Sequence, residues 1–110
     1  MHKPILSIAL AAAMLVSGQV SAADAEAGKA KSGVCAGCHG VDGNAAIPMY
    51  PSLAGQWEDY LLHALQEYKS GVRKDPVMGA MVASLTQVDL ENLAAYFASQ
   101  KGNLSHTPLD

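Results

Sequence analysis

Two cysteines and a histidine stand close together in the sequence Cys35-Ala36-Gly37-Cys38-His39. Cys-x-x-Cys-His is the attachment signature of c-type haem. The spacing suits that chemistry because two thiols can add to the two vinyl groups on one porphyrin edge while the adjacent imidazole lies under the iron. The sequence therefore predicts one covalently bound haem c, held by Cys35 and Cys38, with His39 as an axial ligand of the iron.

Two other uses of a cysteine pair fit the chain less well. A redox Cys-x-x-Cys of the thioredoxin type requires a preceding strand and a βαβ unit, and no segment here shows a convincing period-two pattern. A zinc site needs four ligands, and the fourth would have to be His63 or His106, neither at a familiar spacing. The haem interpretation is favoured over both.

A methionine is the obvious candidate for the opposite face of the iron. Met49 follows His39 by only ten residues, so it should still belong to the segment that covers the histidine side. Met78 and Met81 follow His39 by 39 and 42 residues, beyond a predicted helix, which is enough chain to reach the other face. They lie three apart and so on roughly one face of a helical turn, and spacing does not choose between them. Core-filling methionines are the alternative.

Three helices are predicted to position these residues. Asp24 caps the first, over about 25–34, which delivers Cys35 to the haem edge. The second covers about 56–70 and ends at Gly71. The third begins at Thr86, where Asp89 completes a capping box, and ends near residue 100. Because residues 40–56 are rich in glycine and proline, they are predicted to form a loop that packs against the histidine face.

The apolar faces of the second and third helices are predicted to form the core. His63 falls on the opposite face of the second helix and is expected at the surface. The predicted stripe of the second helix is Trp57, Tyr60, Leu61, Ala64, Leu65 and Tyr68; that of the third is Leu90, Leu93, Ala94 and Phe97, with Tyr96 at its margin. The fold class is all-α, with three main short helices and loops wrapped around one haem.

The first 22 residues differ in composition from the rest of this 110-residue chain, which has room for one small domain. Lys3 precedes a mostly apolar stretch over 5–16, and the small residues Val20 and Ala22 suit a cleavage site. A membrane span needs about 20 apolar residues, more than this run offers. We expect residues 1–22 to be a cleaved signal peptide and residues 23–110 to form the domain in the periplasm.

The charge of the predicted mature chain argues against a nucleic-acid partner. Removal of residues 1–22 removes Lys3 and no acidic residue, leaving six Lys and Arg against ten Asp and Glu, a formal net charge of −4. The basic residues are scattered along the chain, whereas a phosphate backbone is bound by clustered Lys and Arg.

The chain resembles the class I c-type cytochromes, and within them the bacterial cytochrome c4/c553-like group. The resemblance covers nearly all of residues 23–110. Beyond Cys-x-x-Cys-His it is carried by residues 39–44, Pro48, 51–56, Tyr60-Leu61, 69–71 with Arg73, 75–81, Leu85-Thr86 and 93–97.

The resemblance implies further roles for individual residues. Met78, the first methionine of Met-x-x-Met, is the implied iron ligand, and Met81 packs near the haem edge. The carbonyl of Pro48, which matches the family position better than Pro51, is implied to accept the proton of the second ring nitrogen of His39.

The resemblance also implies contacts elsewhere in the fold. The first and last helices should cross where Gly28 meets Tyr96 or Phe97. Independently of the resemblance, Tyr50, Trp57 and Arg73 are candidates to bind the haem propionates, and plain packing or a solvated charge is the alternative for each.

The predicted function is one-electron transfer between respiratory redox partners, such as a membrane oxidase or reductase. Methionine opposite histidine leaves no coordination position for a substrate and raises the reduction potential, and no paired-carboxylate, nucleophile-elbow or phosphate-loop motif indicates an enzyme. The exposed edge is expected near Ala36, Gly37, Ala45, Ile47, Ala80 and Met81.

Three alternatives remain open at this point. Typical cytochromes c4 carry two haem domains, whereas one haem motif here suggests a monohaem relative or half of a homodimer. The chain could also be the haem subunit of a periplasmic oxidoreductase complex, or a gas or redox sensor in which Met78 dissociates.

Overall fold

A computed structural model of the chain describes residues 1–5 and 22–104. The apolar stretch of the predicted signal peptide lies outside the described residues. Within them all regular structure is helical, which confirms the all-α prediction, and five helices are present where three main ones were expected. They are α1 (Ala25–Lys31), α2 (Gly33–His39), α3 (Glu58–Ser70), α4 (Pro76–Val82) and α5 (Gln87–Ser99).

The predicted first helix is divided in two at Ser32. Asp24 caps α1 as expected, and its carboxylate accepts the N–H of Glu26 at 2.9 Å. The buried Ser32 hydroxyl donates to the Lys29 carbonyl at 2.8 Å, where α1 ends. The first helix was predicted to end before the cysteines. This was wrong, because α2 contains the whole Cys-x-x-Cys-His motif. Positions 35, 38 and 39 therefore lie on one helical face.

Helices α1 and α5 cross at Gly28, as the family resemblance implied. Gly28 is buried, and a Cβ built on it would overlap the backbone carbonyl of Asn92 and lie 2.9 Å from the Cβ of Tyr96. The Asn92 side chain also accepts the N–H of Asp24 at 2.8 Å. The crossing therefore depends on the absence of a side chain at position 28.

We predict that Gly28→Ala lowers the free energy of unfolding by about 1–3 kcal/mol, the usual cost of an overpacked contact. Denaturant titration of the haem-loaded protein would measure it. Gly33→Ala is the matched control, since a Cβ at Gly33 meets no atom within 4 Å. Equal stabilities of the two variants would contradict this description of the crossing.

The start of α5 agrees with the capping box read from the sequence. The Asp89 N–H donates to Thr86 Oγ1 at 3.1 Å, and the Thr86 N–H donates to Asp89 Oδ2 at 3.0 Å. The predicted stripe of α5 is buried. Tyr96, expected at its margin, is also buried, and its hydroxyl donates to the Val41 carbonyl at 2.8 Å.

The capping box makes stability depend on pH in one direction. The backbone hydrogen bond from Thr86 lowers the pKa of Asp89, and Lys31, 3.7 Å away, acts in the same sense. A carboxyl whose pKa is lowered by folding stabilises the protein above its unfolded pKa and loses that contribution as the pH falls through the folded value. We therefore expect Asp89→Asn to lower the melting temperature at neutral pH. The difference from the wild type should shrink on acidification below the usual carboxyl range, and a constant difference would contradict this.

Helix α3 begins two residues later than predicted and ends at Gly71, which adopts a left-handed φ of 82°. It packs against α4 and α5. The predicted stripe is wrong at its start, where Trp57 and Tyr60 are exposed, and Leu61 alone of the six is fully buried. No helix within residues 22–104 combines the length and apolar character needed to cross a bilayer.

Candidate functional site

A cavity of about 470 Å³ lies among α2, α3, α4, α5 and the loop before α3. Its volume falls in the range of roughly 300–1,000 Å³ that is typical of ligand sites. Cys35, Cys38 and His39 line it from α2, and Met78 lines it from α4. The fold therefore brings the four residues singled out in the sequence to one cavity.

The walls of this cavity are mostly apolar. A flat, apolar ring system in this cavity would be covered on several sides by side chains that also belong to the hydrophobic core or pack against it. They are Leu53, Leu61, Leu65, Val82, Leu85, Leu93, Ala94 and Phe97.

The ring of His39 is held in one orientation by a backbone carbonyl. His39 is buried, and its Nδ1 lies 2.7 Å from the carbonyl oxygen of Pro51. A carbonyl can only accept, so Nδ1 carries the proton and donates it. This leaves Nε2 as the nitrogen available to a metal.

The expectation that Pro48 supplies this carbonyl was wrong. Pro48 is exposed in a turn, in which the Tyr50 N–H donates to the Ile47 carbonyl at 3.1 Å. That turn directs Pro48 away from His39 and returns the chain at Pro51. The sequence supplied both prolines, but the folded path of the loop decides which of them is used.

The carbonyl of Gly43 fixes that path. It accepts the N–H of Leu53 at 2.7 Å and the N–H of Ala54 at 3.1 Å. Gly43 is buried with a φ of 85°, and a Cβ on it would lie 2.8 Å from the ring of Phe97. The loop therefore packs against the histidine side, as expected, and a glycine is required where it does so.

Helix α4 carries Met78 into the cavity. Asp75 caps this helix, its Oδ1 accepting the N–H of Val77 at 2.9 Å and that of Met78 at 3.0 Å. Pro76 occupies the first helical position, where its missing N–H costs nothing. The segment that contains Met78 and Met81 is helical in the structure, whereas the sequence predicted no secondary structure for it.

Three methionines line the cavity, and their exposure separates them. Met49 is 75% exposed and Met81 is 45% exposed, whereas Met78 is only partly exposed and packs against the buried core cluster. An iron ligand must be shielded and held in place, so this geometry favours Met78.

Arg73, Tyr60 and Tyr68 form a polar end of the cavity. Arg73 and Tyr50, both candidates for propionate binding, line the cavity, whereas Trp57 is 62% exposed and lies outside its described lining. The Arg73 guanidinium carbon is 5.3 Å from the centroid of the Tyr68 ring. Hydrogen bonding to Tyr68, and then to Tyr60, raises the pKa of Arg73. This end can receive carboxylates.

Tyr60 and Tyr68 line the cavity as well, although the sequence placed them in the core. An aromatic stripe at helical spacing looks the same in sequence whether it faces other side chains or a cofactor. Their hydroxyl groups beside an arginine could have been the signal, because a buried core stripe rarely contains several tyrosines.

The cysteines fit a thioether role better than the alternatives. Cys35 and Cys38 form no disulfide bond with each other, and burial raises the pKa of the Cys35 thiol. In the described part of the chain no three His, Cys, Asp or Glu residues are placed to hold a metal ion together, and no strand precedes the motif. Two thiols, an imidazole Nε2, apolar walls and a polar end are the set of groups that a covalently bound haem requires.

Comparison with known proteins shows which family this chain is similar to. The chain matches the family model described as Cytochrome c over residues 25–101. Cytochrome c4 of Stutzerimonas stutzeri is 45% identical over 116 residues, covering 96% of this chain and 54% of that protein. The crystal structure of reduced recombinant cytochrome c4 from Pseudomonas stutzeri superposes with a TM-score of 0.71 at 48% identity, covering 79% of this chain and 50% of that one.

Two further relatives differ in length and setting. Cytochrome c-554(548) of Halomonas halodenitrificans is 41% identical over 83 residues, covering 73% of this chain and 100% of that protein. The cytochrome subunit of sulfide dehydrogenase of Chlorobaculum tepidum is 41% identical over 71 residues, covering 64% of this chain and 60% of that protein. The chain spans about half the length of the cytochrome c4 relatives it matches.

Proposed function

This chain belongs to the cytochrome c family, whose members carry covalently bound haem c, and we propose that it is a one-electron carrier with His39 and Met78 as iron ligands. The observation that carries the proposal is the convergence of Cys35, Cys38, His39 and Met78 on one apolar cavity. Its single Cys-x-x-Cys-His motif provides for one haem.

The residues of the chain set the chemistry of the site. A haem bound here supplies an iron that gains and loses one electron. His39 and Met78, as two protein ligands, leave no coordination position for a substrate, and the thioether sulfur of methionine favours the higher reduction potential. The bond from His39 to the Pro51 carbonyl keeps the imidazole in the tautomer that binds metal through Nε2.

The mouth of the cavity offers a surface for electron transfer. Aliphatic and methionine side chains that line the cavity and are also exposed include Val34, Met49, Val77 and Met81. Of the six residues expected at this edge from the sequence, Met81 alone contributes to the described lining. We propose that this apolar mouth is where redox partners dock, through the small interface that transient electron-transfer encounters use.

Electron transfer with a redox partner should depend only weakly on salt. The exposed residues at the mouth are apolar, and the basic residues of the predicted mature chain, whose formal net charge is −4, are scattered along the sequence, so charge steering has little to act on. We expect the second-order rate to change by less than about threefold between low and physiological ionic strength, against the roughly 10- to 1,000-fold enhancement that steering can provide. Stopped-flow measurement would check this, and a steep fall with salt would contradict it.

A second candidate function is that of a haem subunit in an oxidoreductase complex. The relative from Chlorobaculum tepidum is named as the cytochrome subunit of sulfide dehydrogenase, and that name supports the candidate. Purification of the native chain under mild conditions separates the two: a free carrier elutes alone, whereas a subunit elutes with a larger polypeptide.

The sensor alternative makes a different prediction for the iron. If Met78 dissociates readily, carbon monoxide binds the reduced protein at neutral pH. A carrier with two firm ligands does not bind it, and an absorption spectrum recorded under carbon monoxide distinguishes the two.

We further propose that residues 1–22 direct the chain to the periplasm and are removed there, leaving residues 23–110. The sequence of the apolar stretch and the small residues after it support this. Recovery of the haem protein in the cytoplasmic fraction would contradict it.

A further inference from the structure

Three side chains form a connected row from the protein surface to the polar end of the cavity. His63 Nε2 pairs with one carboxylate oxygen of Glu67, and the Nε of Arg73 lies 3.3 Å from the other. The side chain of His63 is 68% exposed and that of Glu67 is 23% exposed, while Arg73 lines the cavity. The carboxylate of Glu67 therefore joins a solvent-facing imidazole to a cation at the cavity.

The position of Arg73 depends on Glu67 in two ways. The turn that ends α3 brings the chain back, so that the N–H groups of Gly71 and Arg73 donate to the Glu67 carbonyl at 3.0 and 3.2 Å. The Glu67 carboxylate then holds the guanidinium, whose other neighbours are the rings of Tyr68 and Tyr60. The backbone turn fixes the position of the Arg73 main chain, and the Glu67 carboxylate fixes the position of its guanidinium group.

We propose that Glu67 is a positioning residue that orients Arg73 at the haem cavity, and that protonation of His63 acts through this row to make the reduction potential depend on pH. The proposal rests on the proposed function, because it requires a haem in the cavity.

The direction in which the reduction potential changes with pH follows from the charges of the three side chains. With His63 neutral, Glu67 and Arg73 compensate each other, and protonation of His63 adds one positive charge to the row. Positive charge near the iron favours the reduced form, which carries one positive charge fewer. Binding of a proton from water at His63 and uptake of an electron from a donor protein therefore favour each other, and the potential falls as the pH rises.

Charged groups on the neighbouring elements are engaged elsewhere or exposed. On α3 and the turn after it, Asp59 and Lys74 are exposed, and Lys69 donates to the Leu85 carbonyl. Before α4, Asp75 also lines the cavity, but its carboxylate accepts the N–H groups that begin that helix.

The same holds for the remaining helix and for the cavity itself. On α5, Asp89 is bound to Thr86 and Lys31, and Glu91 accepts a hydrogen bond from Gln87. Within the cavity, His39 donates to the Pro51 carbonyl.

A spectroelectrochemical titration of the haem-loaded protein between about pH 5 and 8, where histidine side chains in general change charge, tests the proposal. In the wild type the potential should fall with rising pH. His63→Gln should remove this slope, and Glu67→Gln should remove it as well, because the imidazole is then no longer linked to Arg73. Lys31→Gln, which breaks the ion pair with Asp89 outside the described lining of the cavity, is the matched control and should keep the wild-type slope.

Each contrary result has a definite meaning. A flat wild-type profile, or a slope that survives in His63→Gln, would overturn the proposal while leaving a reversible one-electron haem couple and hence the proposed function intact. A slope lost in His63→Gln but kept in Glu67→Gln would show that His63 acts directly through space, which would overturn the role of Glu67. Absence of any reversible haem couple would overturn both this proposal and the proposed function.

Discussion

Met78→Ala should remove the weak far-red absorption band by which an oxidised c-type cytochrome reports methionine sulfur on its iron. The reduction potential should also fall by on the order of 100 mV or more, since axial ligands shift haem potentials over a range of about 0.8 V. The reason is local: Met78 lines the cavity from a helix capped by Asp75 and packs against the core, whereas Met49 and Met81 are more exposed.

Met81→Ala and Met49→Ala are the matched controls. Both residues line the same cavity but are more exposed. Each variant should keep the far-red band and a potential close to that of the wild type. Loss of the band in Met81→Ala with its retention in Met78→Ala would reverse the assignment of the ligand. Reduced Met78→Ala should in addition bind carbon monoxide, because its iron gains an open position.

The second large effect is expected from the cysteines. In the double variant Cys35→Ser and Cys38→Ser, no haem should remain with the polypeptide after denaturation, because neither position offers a thiol to form a thioether bond. The folded protein should also be much less stable. A domain as short as residues 23–110 has a small hydrophobic core, and here many of the core side chains also line the haem cavity.

Haem staining of a denaturing gel measures the covalent attachment directly, and thermal unfolding measures the stability. Ala36→Ser is the matched control, because it changes a residue between the two cysteines and leaves the Cys-x-x-Cys-His motif intact. Haem that stays covalently attached in the double variant would show that attachment occurs elsewhere in the chain.

Features that depend on a few neighbouring residues could be predicted from the sequence. The capping box of Thr86 and Asp89 is complete within four residues, and Gly71 ends its helix through its own backbone conformation. The haem motif is of the same kind, since its three functional residues lie within five consecutive positions. Such features need no knowledge of the rest of the fold.

Features that depend on distant contacts could not be predicted in the same way. The family resemblance implied Pro48, whereas the structure uses Pro51, because the Gly43 carbonyl accepts hydrogen bonds from Leu53 and Ala54 and so fixes the path of the loop. The break at Ser32 could not be read from the helical pattern either.

The second helix illustrates a different limit. Tyr60 and Tyr68 have the spacing of core residues, and only the position of the cavity shows that they face it. Nothing in the sequence singles out Glu67, because its contact with Arg73 depends on the turn that follows α3.

Covalent attachment of haem at Cys35 and Cys38 is tested most directly by the intact mass of the protein, purified from the periplasm of a host able to attach haem c and measured under denaturing conditions. We expect the mass of residues 23–110 plus one haem, unchanged after extraction with acidified organic solvent. A polypeptide without haem, or a haem removed by that extraction, would contradict the claim that Cys35 and Cys38 bind it covalently.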